Sequence, residues 1–147
     1  MTNQEKKEYL LGYQRINQRV NCLLLEQQRW RELATRVSPN LSGMPRGGGG
    51  GGTQGAVAKI VDLETEINEE IDKLVDERKR IEAAIRKIND PTLRILLEYR
   101  YINGKKWEEI ALMMGYDYRW ALRLHGRALS AVDEHAIESH IDSVISL

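Results

Sequence analysis

Arginine and bulky side chains alternate in a short stretch near the carboxyl end of the sequence. On a helix, five of these residues would fall outside the apolar positions: Tyr118, Arg119, Leu122, Arg123 and Arg127. Guanidinium groups bind phosphates or the acceptor edge of guanine, and apolar groups contact thymine methyls, so this mixture suits the major groove of DNA. The alternative is a set of solvated charges on the outside of an ordinary helical core.

The residues around this stretch predict two short helices joined by a tight turn. The first helix has one apolar face, made of Trp107, Ile110, Ala111 and Met114. Gly115 accepts the left-handed conformation that ends a helix, and we expect Asp117 to cap the next helix through its side chain. The second helix repeats apolar residues at Ala121, Leu124, Ala128 and Leu129. Two helices joined by a short turn containing glycine form the helix-turn-helix signature. Trp120 could either close the core between the helices or stack outward.

A third helix is predicted just upstream. Asp90 and Pro91 form a cap followed by proline at the first helical position, and Asn103-Gly104 ends the helix. Lys105 and Lys106 precede the helix-turn-helix and are candidate phosphate contacts, with solvated lysines as the alternative.

The first part of the chain predicts two long helices. The first helix is predicted from about Asn3 to Val37 and the second from about Ala56 to Ile88. Apolar residues alternate at spacings of three and four from Tyr13 to Val37, with Gln27 at one seam position, and again from Ile60 to Ile88, with Ile71 in the seam. Such a narrow stripe requires a partner helix, so we expect an antiparallel coiled-coil hairpin, formed within one chain or between two. Cys22 is expected to be a small buried residue within it.

A glycine-rich segment connects the two long helices. Pro39 and Pro45 exclude continuous helix, and the six glycines from Gly47 to Gly52 predict a flexible connection over residues 38–55. No lysine precedes Thr53 as a phosphate-binding loop would require. Arg46, flanked by proline and glycine, could enter a DNA minor groove, and a flexible hairpin tip is the alternative.

Two resemblances bear on function. The region from Pro91 to Leu129 resembles region four of bacterial sigma factors, which reads promoters, in Tyr101-Ile102-Asn103-Gly104, Trp107-Glu108-Glu109-Ile110-Ala111 and Leu124-His125-Gly126-Arg127-Ala128-Leu129. Nearly the whole chain is similar to small phage and prophage transcriptional regulators related to RinA-type and ArpU-type late-gene activators. The stretches Leu41-Ser42-Gly43-Met44-Pro45-Arg46-Gly47-Gly48 and Ala58-Lys59-Ile60-Val61-Asp62-Leu63-Glu64 carry that similarity. Tyr118, Trp120 and Leu122 depart from the small or polar residues usual there, so the base preference of a relative does not transfer.

Composition limits the possible functions. The formal net charge of zero is unevenly distributed: +4 over residues 1–46, −3 over 47–90, +2 over 91–133 and −3 over 134–147. Nucleic-acid binding would therefore depend on a local basic patch. The single cysteine excludes an internal disulfide, no apolar run approaches the roughly 20 residues that cross a bilayer, and the polar first residues are not a signal peptide. We expect a cytoplasmic protein of a bacterial host cell.

No arrangement of residues indicates catalysis. The three histidines and one cysteine have no zinc-site spacing, the many acidic residues fall on outer helix faces, and no nucleophile motif is present. We therefore expect no enzyme activity, no metal and no cofactor. His125 is expected to make a core or phosphate hydrogen bond.

The sequence thus predicts an all-α protein with three parts. These are a coiled-coil hairpin over residues 1–89, a helix-turn-helix DNA-binding domain over 90–133, and an amphipathic helical tail over 134–147 that packs on the hairpin or a second copy, or frays. The resemblance implies a regulator of phage genes that binds double-stranded DNA, with a homodimer favoured and activation of late or packaging genes expected. The alternatives are a protein that docks on host RNA polymerase and a small terminase-type packaging subunit.

Overall fold

The computed structural model describes residues 1–37 and 51–138, and every regular element in these ranges is helical. In chain order they are α1 (Asn3–Leu10), α2 (Gly12–Val37), α3 (Gly51–Arg86), α4 (Pro91–Leu97), a π-helical turn (Glu98–Ile102), α5 (Trp107–Met114) and α6 (Tyr118–Ala131). Residues 134–138 are helical as well. The prediction of an all-α protein is therefore confirmed for the described residues.

The chain forms two compact units. Unit 1 consists of Met1–Arg15 together with Leu74–Leu147, described as far as residue 138, and unit 2 consists of Ile16–Lys73. This division differs from the predicted boundary at residue 89, because residues 1–15 and 74–89 make their contacts with the elements that follow residue 90.

Unit 1 has a continuous apolar core. Its largest fully buried side chains are Leu10, Ile81, Ile85, Leu96, Leu97, Tyr101, Ile110 and Ile137. They come from α1, the end of α3, α4, the π-helical turn, α5 and the helical residues after α6. The core is thus assembled from elements far apart in sequence, and it encloses the inner face of the predicted helix-turn-helix.

The helix starts in unit 1 follow from local sequence. The Thr2 side chain accepts a hydrogen bond from the Glu5 amide, and the Glu5 carboxylate accepts one from the Thr2 amide. Helix α1 therefore begins with a capping box. Asp90 accepts from the Thr92 amide at 2.9 Å, with Pro91 at the first helical position, as predicted.

Helix α1 packs against α6, which the sequence did not predict. The Asn3 side-chain amide donates to the Gly126 carbonyl at 3.3 Å and to Ser130 Oγ at 3.2 Å. Lys6 is 5 % exposed, and its ammonium group donates to the Ser130 carbonyl at 3.3 Å. That carbonyl lies in the last turn of α6, where a positive charge is favoured by the helix dipole.

The predicted single helix from residue 3 to residue 37 is therefore wrong in its first part. The chain interrupts α-helix at Leu11, and the eight residues of α1 join unit 1. The physical reason is that Leu10 is completely buried in the unit 1 core. A stripe drawn only from Tyr13 onward could not reveal this contact.

Unit 2 contains the remaining parts of α2 and α3, which contact each other through a small apolar cluster. Leu23 packs with Leu63 and Ile67, and Trp30 packs against this cluster. The Gln27 side-chain amide donates to the Ile60 carbonyl at 3.4 Å. Gln27 is 5 % exposed, so this hydrogen bond satisfies a buried side-chain amide.

Ion pairs border this cluster. Arg19 contacts Glu66 at 3.2 Å and Glu70 at 3.3 Å, and Glu70 is nearly buried. Lys73 also contacts Glu70, at 3.4 Å, so two positive charges compensate this nearly buried carboxylate.

Three sequence-based expectations for this part of the chain need correction. Cys22 is exposed, because the buried positions of α2 are Val20, Leu23 and Gln27 and Cys22 lies beside them. Ile71 is 38 % exposed although its spacing placed it in the seam. Residues 51–55, assigned to the flexible connection, begin α3. Arg46 and residues 38–50 lie outside the described residues.

The segment after α6 contributes to unit 1. Val132 is 2 % exposed and Ile137 is 1 % exposed, and both belong to the core cluster. The start of the predicted tail therefore packs on unit 1, and residues 139–147 lie outside the described residues. Among the described helices, none has both the length and the apolar character needed to cross a membrane.

We predict that Leu10→Ala lowers the free energy of unfolding by about 2–5 kcal/mol, because it leaves a cavity in a completely buried site. Urea titration followed by circular dichroism measures this change. Leu25→Ala is the matched control, since Leu25 is 72 % exposed and its truncation should change stability by less than about 0.5 kcal/mol. Equal effects of the two substitutions would contradict the docking of α1.

Candidate nucleic-acid interface

A tight turn joins α5 and α6. Gly115 adopts φ +70°, in the left-handed region, as the sequence predicted. Its amide donates to the Leu112 carbonyl at 3.3 Å, and the Tyr116 amide donates to the Ala111 carbonyl at 2.9 Å. These bonds satisfy carbonyls at the end of α5 and direct the chain at once into α6.

Asp117 occupies the N-cap position of α6 but does not cap it as expected. Its backbone is extended, and its carbonyl accepts the first helical hydrogen bond from Ala121 at 3.0 Å. Its side chain makes no capping hydrogen bond. The predicted side-chain cap is therefore wrong, and the backbone turn alone starts the helix.

Burial divides α6 into two faces. The inner face is buried at the four predicted positions, Ala121, Leu124, Ala128 and Leu129. The outer face is exposed at all five candidate contact residues and at Trp120, that is, at Tyr118, Arg119, Trp120, Leu122, Arg123 and Arg127. The outer face therefore combines three guanidinium groups with two aromatic rings and one leucine.

The two arginines nearest the start of this face, Arg119 and Arg123, are not engaged within the protein. Neither forms a hydrogen bond, an ion pair or a ring contact with any residue in the described ranges 1–37 and 51–138. Their guanidinium groups are thus directed to solvent, where a ligand that carries acceptor groups can reach them.

Arg127 is held in place by an aromatic ring. Its guanidinium carbon lies 5.2 Å from the centroid of the Trp120 ring. This is a cation–π contact between residues seven apart on α6, and it shows that Trp120 stacks outward. The contact restricts the Arg127 side chain before any ligand arrives, which lowers the entropy cost of binding through Arg127.

Hydrogen bonds to the backbone hold the turn that carries Lys105 and Lys106. Arg100 Nη1 donates to the Lys105 carbonyl at 3.0 Å, and the Lys105 amide donates to the Tyr99 carbonyl at 3.0 Å. The Gln14 side chain donates to the Arg100 carbonyl. Both lysines are exposed, and Lys106 is the N-cap residue of α5. The backbone of the turn is therefore fixed while the lysine side chains face solvent.

Arg100, which holds this turn, stacks on the Trp107 ring, and Trp107 in turn contacts His125. The Arg100 guanidinium carbon lies 5.1 Å from the Trp107 ring centroid, and the Trp107 and His125 rings are 4.4 Å apart between centroids. His125 Nε2 shares a hydrogen bond of 2.7 Å with the hydroxyl of Tyr101, whose side chain is buried. The expected core hydrogen bond of His125 is thereby confirmed, and the stack ties α6 to α5 and to the π-helical turn.

Burial keeps His125 neutral. It lowers the pKa of His125 from 6.5 to about 4, and the positive charges of Lys7 and Arg100 act in the same direction. Burial also raises the pKa of Tyr101 to about 12, so the phenol keeps its proton. At neutral pH the pair is an uncharged hydrogen bond inside the core, which suits a structural role.

The remaining titratable groups do not form a metal site in the described part of the chain. No group of three or more histidine, cysteine, aspartate or glutamate side chains is arranged there to hold an ion. His135 carries a side chain that is 91 % exposed, and it lies 3.9 Å from Glu138 on the same helix.

The residues that support this candidate surface were not predicted from the sequence. Gln14 and Arg100 brace the lysine turn, and Asn3 and Lys6 hold the end of α6. The capping-box pattern from Thr2 to Glu5 was a signal for the start of α1, but not for its end at Leu10. No local signal could show which helix α1 contacts, because that depends on the tertiary arrangement.

Comparison of the chain with protein-family models, with curated proteins and with solved structures finds no match. A function for the chain is therefore inferred from the geometry of this surface and from the sequence patterns described above.

We predict that unit 1 loses stability as the pH falls from about 6.5 towards 4. In this range the unfolded chain binds a proton at residue 125, whereas the folded chain does so only near pH 4. His125→Gln should flatten the dependence of the free energy of unfolding on pH between pH 7 and pH 5, as measured by urea titration. His135→Gln is the control and should leave the dependence unchanged. Identical slopes for the wild type and His125→Gln would contradict this assignment.

Proposed function

We propose that the chain is a sequence-specific regulator of transcription that binds double-stranded DNA and controls phage or prophage genes. The observation that carries this proposal is the outer face of α6, where Arg119 and Arg123 are exposed and have no partner within the described residues. Long arginine side chains on the second of two helices joined by a glycine turn are the usual reading elements of helix-turn-helix proteins.

The dimensions and chemistry of α6 support its role as the recognition helix. Its 14 residues span about 21 Å, and an α-helix fits the width of the major groove. We assign base reading to Tyr118, Arg119, Leu122 and Arg123. Arginine can bind guanine through two hydrogen bonds, and the leucine and the aromatic ring offer apolar contact to thymine methyl groups.

Phosphate contacts set the position of such a helix on DNA. We assign this role to Lys105, Lys106 and Arg127. The turn that carries Lys105 and Lys106 is held by Arg100, and Arg127 is held by Trp120, so these three charges can bind phosphates with little loss of conformational freedom.

The other parts of the chain complete the proposed architecture. We propose that α5 and α6 form a helix-turn-helix similar to sigma region four, and that α2 and α3 form an antiparallel coiled-coil hairpin. The contacts of unit 2 support the hairpin: Arg19 contacts Glu66 and Glu70, while Gln27, further along α2, contacts Ile60, earlier in α3. Activation, as opposed to repression, is proposed from the family resemblance alone.

A second candidate function is docking on host RNA polymerase. It is favoured by an exposed apolar pair at the end of α5, where Leu112 is 84 % exposed and Met113 is 47 % exposed. Under this alternative, DNA binding is weak and independent of sequence, and Leu112→Ala reduces the binding of polymerase.

The proposed function is tested with DNA fragments selected from a randomised library by the wild-type protein. We expect Arg119→Ala and Arg123→Ala each to weaken binding of the selected fragment tenfold or more, since a good base contact contributes about 1–3 kcal/mol. Binding is measured by fluorescence anisotropy at fixed salt concentration. Arg29→Ala, at an exposed arginine of unit 2, is the matched control and should leave affinity unchanged. Unchanged affinity for both α6 variants would exclude this reading face.

A separate prediction concerns the stacked pair on α6. We expect Trp120→Leu to weaken binding to all DNA sequences about two- to fivefold, because an exposed cation–π contact contributes about 0.5–1 kcal/mol. Arg127→Ala should weaken binding at least as much and lower the salt dependence by about one phosphate contact. The double variant should resemble Arg127→Ala alone, since tryptophan acts through arginine. Additive losses would show that Trp120 contacts DNA itself.

A further inference from the structure

Helix α3 carries a second apolar stripe beside the one that faces α2. The first stripe includes the buried residues Ala56, Leu63 and Ile67. The second stripe is displaced by one residue and repeats at alternating spacings of four and three: Val57, Val61, Glu64, Asn68, Ile71 and Val75. The displacement by one residue turns it about 100° around the helix.

The apolar members of this second stripe are exposed in the described chain. Val57 is 51 % exposed, Val61 is 54 % exposed, Ile71 is 38 % exposed and Val75 is 47 % exposed. A stripe with this spacing is the pattern by which two helices pack along each other. Four exposed β-branched residues along one helix therefore indicate a surface that another helix covers.

The order of residues along the stripe identifies the covering helix. Read in either direction, the stripe has two apolar residues, two polar residues and two apolar residues. If a second copy of α3 lies antiparallel, with a twofold axis beside residue 66, Val57 meets Val75 of the second copy and Val61 meets Ile71. Glu64 then lies opposite Asn68, whose amide can donate to the carboxylate. Every position thus has a chemically suited partner.

A parallel pairing of the same stripes is disfavoured. It would place Glu64 opposite Glu64 of the second copy, and like charges at a helix interface are destabilising. In the antiparallel pairing the exposed flank presents Ala58, Thr65 and Asp72, and Asp72 meets Ala58 or Thr65 of the other helix, not a second acid. The antiparallel register therefore places no like charges directly opposite each other at the seam.

We propose that the chain forms a homodimer through antiparallel pairing of α3 with α3 of a second copy, along the stripe from Val57 to Val75. This pairing is isologous, as a twofold dimer requires. It does not depend on DNA binding, and it adds a self-association surface to the DNA-binding surface of α6.

The mass of the full-length protein in solution, measured by sedimentation equilibrium without DNA, tests the dimer. We expect a wild-type mass of about twice 16.9 kDa and a mass near 16.9 kDa for the double variant Val61→Glu, Ile71→Glu. Charges at four seam positions of the dimer should weaken association by roughly a hundredfold or more, since the apolar contacts are lost. Leu25→Glu is the control, because Leu25 is an exposed apolar residue of α2 outside the stripe. It should remain dimeric, and circular dichroism should show equal helix content in all three proteins.

The direction of pairing is tested by charge at residue 68. In the antiparallel register, Asn68→Lys places a lysine opposite Glu64 twice and should strengthen association about three- to fivefold. Asn68→Glu places two acids together twice and should weaken it by a similar factor. A parallel dimer would be weakened by both substitutions, because residue 68 would then face itself.

Three results would overturn the proposal: a monomeric wild type, a double variant that stays dimeric, and weakening by both substitutions at residue 68. None of these results bears on the affinity of α6 for DNA. Failure of the dimer and failure of the proposed function are therefore distinguishable.

Discussion

Burial of one face of α6 is the constraint on which the rest of unit 1 depends. Ala121, Leu124, Ala128 and Leu129 are withdrawn from water, and they are spaced so that the opposite side of the helix must face solvent. Small alanines on the inner face let neighbouring helices approach closely, and α4 and α5 both pack there. The exposed arginines are thus a consequence of how the apolar residues are placed.

Polar contacts stabilise this packing at the end of α6, in the core and near the surface. At the end of α6, Lys6 donates to the Ser130 carbonyl, which lies in the last turn, where carbonyls lack a helical partner. Asn3 donates to the Ser130 hydroxyl. In the interior, Tyr101 and His125 share an uncharged hydrogen bond, and its geometry requires a fixed rotation of α6. Near the surface, Arg100 joins the Trp107 ring to the Lys105 carbonyl. In the described ranges, no buried side-chain nitrogen or oxygen lacks a hydrogen-bond partner.

Units 1 and 2 present different chemistry. Unit 1 carries the basic surface of α6 and the Lys105–Lys106 turn, backed by a rigid core. Most of α3 lies in unit 2, where Leu63 and Ile67 pack with Leu23 of α2, and Val57, Val61 and Ile71 of α3 are exposed. Under the two proposals made above, unit 1 binds DNA and α3 joins two copies of the chain.

Local rules in the sequence determined much of the helical structure. The positions of the turn at Gly115, the cap at Asp90 and the two faces of α6 follow from backbone preference and apolar spacing, which act over a few residues.

Tertiary structure determined the contacts between residues that are distant in sequence. Leu10 packs in the core of unit 1 and not along the predicted long helix. Arg127 contacts the Trp120 ring, and Gln14 and Arg100 hold the turn that carries Lys105 and Lys106. A periodic pattern gives only the spacing of apolar residues, and the partner helix determines which of two neighbouring stripes is buried. Cys22 and Ile71 are exposed for this reason. Such contacts join residues distant in sequence, and their energies depend on packing that no single segment encodes.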